Sequence, residues 1–187
     1  TKFDNTPKQF DFLPPIVQEL PADLETPVSV YLKLAGSEPS FLLESISGGE
    51  ALARYSFIGV QPRGACILRG NQVEILKDGN TQKIQMEKQN PLDFLRAQLP
   101  DFGKTESLPG LPRFSGGLVG YLGYEMMRFF EHKVALKTHP QYPDAIFLLA
   151  DTVVAFDHAF GKIVLMARLR PADTEQASQE EARKRLE

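Results

Sequence analysis

The stretch AIFLLADTVVAFDHAFGKIVLMARL, residues 145–169, decides the fold. It is dense in β-branched, aromatic and leucine side chains, and Asp157, His158 and Gly161 fall together in its middle. Apolar runs bounded by such turn residues form strands buried on both faces, so the stretch predicts two long apolar strands joined around Asp157 to Gly161. This is a central hairpin, and the remaining elements are expected to assemble around it.

Upstream, short runs with strand character occupy Ser40 to Ile46, Arg54 to Val60, Ala65 to Arg69, Gln72 to Leu76 and Gln82 to Met86. Asp78-Gly79-Asn80 precedes the last of these and signals a hairpin, since Asp and Gly suit the positive φ of tight turns. Thr26-Pro27 offers a cap and a first-turn proline, with Gly36 just past the end and Val28, Tyr31, Leu32 and Ala35 on one face, so a short helix is expected there despite its valines. Asn90-Pro91 opens a second helix through Leu99, with Leu92, Leu95 and Leu99 on one stripe. In FSGGLVGYLGYEMMRFFE, residues 114–131, the glycines at 116, 117, 120 and 123 leave room for another backbone. That block reads as a packed strand feeding a helix on which Arg128 and Glu131 pair at i,i+3.

The ends are polar. Residues 1–25 carry Pro7, Pro14, Pro15 and Pro21 and read as an extended surface lead-in, with a turn of helix at Ile16 to Leu20 as its only regular structure. Residues 171–187 include TEQASQEEARKRLE, a helical segment with Glu180 four residues before Lys184 and Glu181 four before Arg185. It is expected to be still helical at Glu187, as at a break in a longer polypeptide, and a first residue of Thr1 fits processing or trimming. The fold expected is α+β, a strongly twisted, mainly antiparallel sheet with helices on one face.

Composition narrows the function. Hydrophobic residues make up 42% and charged residues 24% of the 187, so the chain is globular rather than disordered. The net charge of −3 leaves no basic excess for a phosphate backbone, which argues against nucleic acid. One cysteine, Cys66, cannot form an internal disulfide and is expected to be a small core residue. No apolar run reaches membrane-spanning length and the first residues lack a signal-peptide pattern, so no membrane and a cytoplasmic setting are expected. P-loop, nucleophile-elbow and zinc-protease patterns are absent, and His132, His139 and His158 show no ligand spacing. No metal site is expected in these residues.

What stands out is Phe41-Leu42-Leu43-Glu44-Ser45, then Gly48-Gly49, then Arg54-Tyr55-Ser56-Phe57-Ile58-Gly59. In a regular strand Leu42 and Glu44 face one side and Leu43 and Ser45 the other, so acid and hydroxyl serve one ligand only at a strand end or bulge. One reading is an edge strand with a solvated glutamate. The other is an amino-acid site, in which Glu44 pairs with an ammonium and Ser45 and Ser56 offer hydroxyls.

These motifs, with Pro112-Arg113-Phe114-Ser115-Gly116-Gly117-Leu118-Val119-Gly120-Tyr121, Tyr124-Glu125, Arg128-Phe129-Phe130-Glu131 and Phe156-Asp157-His158, resemble the amino-terminal domain of anthranilate synthase component I over residues 26–170. The resemblance implies half of a larger β-sandwich completed by a carboxyl-terminal domain, and such a half cut free is expected to expose an apolar face. It implies an L-tryptophan feedback site carried in part by Leu43, Glu44, Ser45 and Ser56. Arg54, Tyr55 and Phe57 are further candidates, with a purely structural role as the alternative. It also implies that catalysis, chorismate and Mg2+ belong to the carboxyl-terminal chorismate-binding domain, so no catalytic residue is assigned here, and that a glutamine amidotransferase subunit, component II, is the partner. The whole protein would be a feedback-inhibited, allosteric lyase of tryptophan biosynthesis; the 187 residues alone are expected to be inactive and to bind tryptophan weakly or not at all. The same domain of aminodeoxychorismate synthase component I and a non-enzymatic amino-acid-binding module are the alternatives.

Overall fold

The computed structural model describes residues 15–44, 54–86, 90–98, 110–131, 133–134, 136–137, 139, 141–170, 172 and 174–187. Residues 1–14 of the expected lead-in, Ser45, Gly48-Gly49, Leu99 and His132 lie outside them. In chain order the elements are β1 (Pro15–Pro21), α1 (Pro27–Leu34), β2 (Phe41–Leu43), β3 (Tyr55–Gly59), β4 (Gly64–Arg69), β5 (Gln72–Lys77), β6 (Asn80–Gln85), α2 (Pro91–Gln98), β7 (Gly117–Leu122), a 3-10 helix (Tyr124–Phe129), β8 (Ala145–Ala150), β9 (Thr152–Asp157), β10 (Lys162–Arg168) and α3 (Glu175–Lys184). The class is α+β, and the strands divide between two five-stranded sheets, β1-β10-β9-β3-β2 and β6-β5-β4-β8-β7. The chain also divides into two compact units.

One unit comprises residues 12–62, 103–117 and 150–187 and holds the first sheet. Its centre is the expected hairpin, β9 against β10 from Thr152↔Ala167 to Asp157↔Lys162. Ile58, Val154, Phe156 and Ile163 bury one face; Ala150, Val153, Ala155, Val164 and Met166 form the core on the other. β1 pairs with β10 along all seven residues, so Ile16 to Leu20 is strand rather than a turn of helix. The prolines at its ends do not interrupt the ladder, and Val17 gains a place in the core. α1 forms as its cap predicts: Thr26 Oγ1 accepts from the Ser29 amide (3.0 Å), and Ser29 Oγ accepts from the Thr26 amide (2.9 Å). Its buried face shares Tyr31 with the one expected and otherwise differs. Pro27, Val30 and Tyr31, an i, i+3, i+4 set, turn inward, whereas Val28 and Leu32 are 44% and 71% exposed.

The described residues of the other unit lie within 63–102 and 118–149. The Asp78-Gly79 turn joins β5 to β6 with φ of 48° and 77°, as tight hairpins require. α2 is capped by Asn90, whose Oδ1 accepts from the Leu92 amide (2.9 Å). Phe94 and Leu95 of that helix face Cys66, Leu68, Val73, Met126 and Phe147 across a small apolar cavity. Burial pushes the Cys66 thiol up to about 11, as befits a core residue. β7 lies beside β8 so closely that a Cβ at Gly120 would stand 1.8 Å from the Ile146 carbonyl oxygen. Arg128 does not pair with Glu131. Asp144 is buried and takes the charge instead, accepting from Arg128 (2.8 Å) and from the Gly70 amide (2.6 Å), because a buried carboxylate needs a cation more than an exposed glutamate does.

The apolar stretch that reads as one long strand before Asp157 is two, β8 and β9, which belong to different sheets. The chain changes sheet at Asp151, whose side chain is buried. Its carboxylate accepts from Arg170 Nε (2.7 Å) and lies 3.3 Å from an Arg185 guanidinium nitrogen. Arg185 also donates to Thr152 Oγ1 and pairs with Glu181, the expected i,i+4 partner. The Glu180 carboxylate accepts from Gln176 rather than pairing with Lys184. α3 therefore ends at Lys184 instead of continuing to Glu187, as Arg185 becomes its C-cap with its side chain turned back to Asp151.

β3 is joined to β9 by charge as well as by its ladder. Arg54 donates to both Asp157 oxygens (3.0 and 2.7 Å), and its guanidinium lies over the rings of Tyr55 and Phe160. Burial works against the Asp157 charge, yet Arg54 and the amides of Ala159 and Phe160 together hold its carboxyl below the usual aspartate value.

Three outcomes are expected. Gly120→Ala should destabilise the protein by about 2 kcal/mol or more in urea denaturation, since the methyl group meets rigid backbone. Asp151→Ala should cost about 3 kcal/mol in the same assay, leaving two arginines without their carboxylate. A carboxyl whose folded pKa is depressed stabilises above its unfolded value of about 4 and loses that contribution as pH falls through the folded value. The advantage of the wild type over Asp157→Asn, followed by thermal melts from about pH 6 to about pH 3, should shrink as the solution becomes more acidic.

Candidate functional site

The residues singled out by the motif meet through one register. β2 pairs antiparallel with β3 as Phe41↔Gly59, Leu42↔Ile58 and Leu43↔Phe57. The ladder ends there, and one further step of the same register would set Glu44 opposite Ser56. Opposed residues of an antiparallel pair project to the same face, so carboxylate and hydroxyl would then share one side of the sheet at the end of β2. An aromatic ring pins the alignment. Phe41 lies over Gly59, where a Cβ would come within 2.1 Å of it, so only a glycine leaves that ring its place.

The alternation that unites Glu44 with Ser56 separates them from the other candidates. Leu43, opposite Phe57, projects to the reverse face and is exposed. Phe57 packs edge-on against Phe114 (5.2 Å, 82°) in the core of that face, with the Tyr55 ring 5.9 Å away. Desolvation, with Asp157 adding to it, raises the Tyr55 hydroxyl above its ordinary value. Arg54 is held by Asp157, as described above. These three side chains build the reverse face and the end of β3. Ser45 lies outside the described residues.

Glu44 is exposed, whereas Ser56 has no exposed surface. The Ser56 hydroxyl is 2.8 Å from Nε2 of His158. His158 lies one residue beyond β9; its amide donates to the Arg54 carbonyl (2.9 Å) and its ring stacks on Phe156 (6.2 Å, 27°). Phe156 is in turn the register partner of Ser56. His158 thus reaches Ser56 from just beyond the end of β9, and His158 is exposed while the serine is not. Ligand spacing in the sequence gives no hint of this histidine; its signals are its place directly after the hairpin strand and in the Phe156-Asp157-His158 motif. His139, by contrast, lies beside Tyr142 (4.8 Å) in the other unit.

Among the described residues no three His, Cys, Asp or Glu side chains come together where a metal could sit. No described helix is long and apolar enough to cross a membrane. The arrangement can do one piece of chemistry: present an exposed carboxylate and an imidazole around a buried hydroxyl, a set that suits a small zwitterion.

Comparison with known proteins places the chain. It is 42% identical over 179 residues to anthranilate synthase component 1 of Neisseria gonorrhoeae, covering 92% of this chain and 35% of that protein. The corresponding values are 40% over 172 residues for the Pseudomonas putida protein of the same name (90% and 34%) and 36% over 167 residues for that of Saccharomyces cerevisiae (86% and 30%). The chain thus spans about a third of the length of these relatives. The crystal structure of anthranilate synthase component I from Streptococcus pneumoniae shares the fold, with a TM-score of 0.51 and 24% identity over 89% of this chain and 35% of that one. The family model described as chorismate binding enzyme matches residues 38–187, and the chain belongs to that family.

Proposed function

We propose that this chain is the amino-terminal regulatory part of an anthranilate synthase component I and carries part of a feedback site for L-tryptophan. The observation that carries the reading is the register of β2 on β3, which ends at Leu43↔Phe57 and, continued by one step, would bring the position of Glu44 opposite that of Ser56. An exposed carboxylate on an edge strand can take an amino acid's ammonium without the cost of burying an unpaired charge. The relatives quoted above bear the anthranilate name, which favours this enzyme over aminodeoxychorismate synthase.

In this reading the reaction turns chorismate and glutamine-derived ammonia into anthranilate and pyruvate in the cytoplasm. The chemistry and its Mg2+ belong to a chorismate-binding domain further along the polypeptide, and the ammonia to a component II amidotransferase. These residues sense the end product. A tryptophan site shared with that further domain loses a wall when the 187 residues stand alone, which removes both burial and hydrogen-bond partners.

Calorimetric titration of L-tryptophan into the full-length protein should show saturable binding, weakened at least tenfold by Glu44→Ala and less by Glu44→Gln, since a charge-assisted hydrogen bond contributes about 1.5–3 kcal/mol. The isolated 187 residues should bind far more weakly than the full chain. No saturable binding by the full-length wild type would overturn the reading.

A further inference from the structure

Resting on the tryptophan reading, we infer that His158, rather than Ser56, is the group that meets the bound amino acid, donating a hydrogen bond from Nδ1 to its carboxylate. Ser56 acts through His158 as a positioning residue.

The inference starts from burial. A ligand cannot reach a serine with no exposed surface, but it can reach the exposed imidazole hydrogen-bonded to it. The direction of the Ser56–His158 bond then follows from the need to satisfy buried donors. Among the described residues the Ser56 hydroxyl has one partner, Nε2 of His158 at 2.8 Å. If Nε2 carried the imidazole proton, the serine's own proton would be buried with no acceptor among the described residues. Ser56 therefore donates, Nε2 accepts, and the neutral ring keeps its proton on Nδ1, which becomes a donor.

Three contacts hold the ring in one orientation: the His158 amide on the Arg54 carbonyl, the stack on Phe156 and the serine hydroxyl on Nε2. A donor fixed before the ligand arrives loses little freedom when it binds. The neighbouring cation, Arg54, is held by Asp157 through Nε and one terminal nitrogen, and the imidazole stands beside it as a second oriented donor at this end of the sheet. Glu44 follows the last residue of β2, the strand on the other side of β3. An acceptor for the ammonium and a donor for the carboxylate thus stand on the strands to either side of β3, a polarity that selects an α-amino acid over a simple amine or a simple acid.

Two substitutions divide the imidazole's roles. In His158→Asn the amide nitrogen falls near the place of Nδ1 and contact with Ser56 is lost; in His158→Gln the amide reaches the place of Nε2 and the Nδ1 donor is lost. Titration of L-tryptophan into the full-length protein and both variants, each checked for folding by circular dichroism, should find Asn within about threefold of wild type and Gln weakened about tenfold or more. Any result in which Asn does not bind more tightly than Gln overturns the assignment and leaves the tryptophan reading standing. A wild type that does not bind overturns both. Independently of the variants, imidazole nitrogen shifts of the full-length protein in mildly alkaline buffer should show His158 protonated on Nδ1, and protonation on Nε2 would overturn the inference.

Discussion

The buried carboxylate of Asp151 is the constraint on which the first unit depends. Residues 145–156 read as one long apolar strand although they contain this charged residue. In the structure β8 ends at Ala150, β9 begins at Thr152 in the other sheet, and the carboxylate is met by Arg170 and Arg185. A buried ion pair of this kind is a weak source of net stability, because desolvation offsets much of the attraction. Its larger effect is to fix where β9 starts. That starting point sets the pairing of β9 with β3, and through β3 the placement of Ser56 against Phe156 and of Arg54 against Asp157.

Local chemistry made several elements legible in the sequence. Thr26 with Ser29, Asn90 with Pro91, and Asp78-Gly79 each carry their own hydrogen-bonding or φ requirement, and each forms as that requirement dictates. What could not be read depends on distant partners. The pairing of β1 with β10 spans almost the whole chain, the sheet change at Asp151 needs arginines up to 34 residues away, and Arg128 chooses Asp144 over the nearer Glu131 because only the former is buried. Periodicity placed a helix over residues 27–34 but misjudged its inner face, since two turns are too few for the apolar pattern to outweigh the cap.

The candidate site was legible in part for the same reason. Residue types at 44 and 56 suggest an amino-acid ligand, but only a register shows that they share a face while Leu43, Tyr55 and Phe57 share the other. His158 lay in plain view directly after the hairpin strand. Its significance comes from Ser56, a hundred residues earlier, and no local pattern connects the two.

The outer strand β1 begins with Pro15 and finishes with Pro21. An open strand edge invites a neighbouring molecule to continue the ladder, and proline has no amide hydrogen with which to do so. The strand that closes this sheet therefore carries a non-donating residue at each end. In a concentrated or crowded solution that shortens the usable template to the five residues between them, fewer than the six or seven from which fibrous aggregates usually grow.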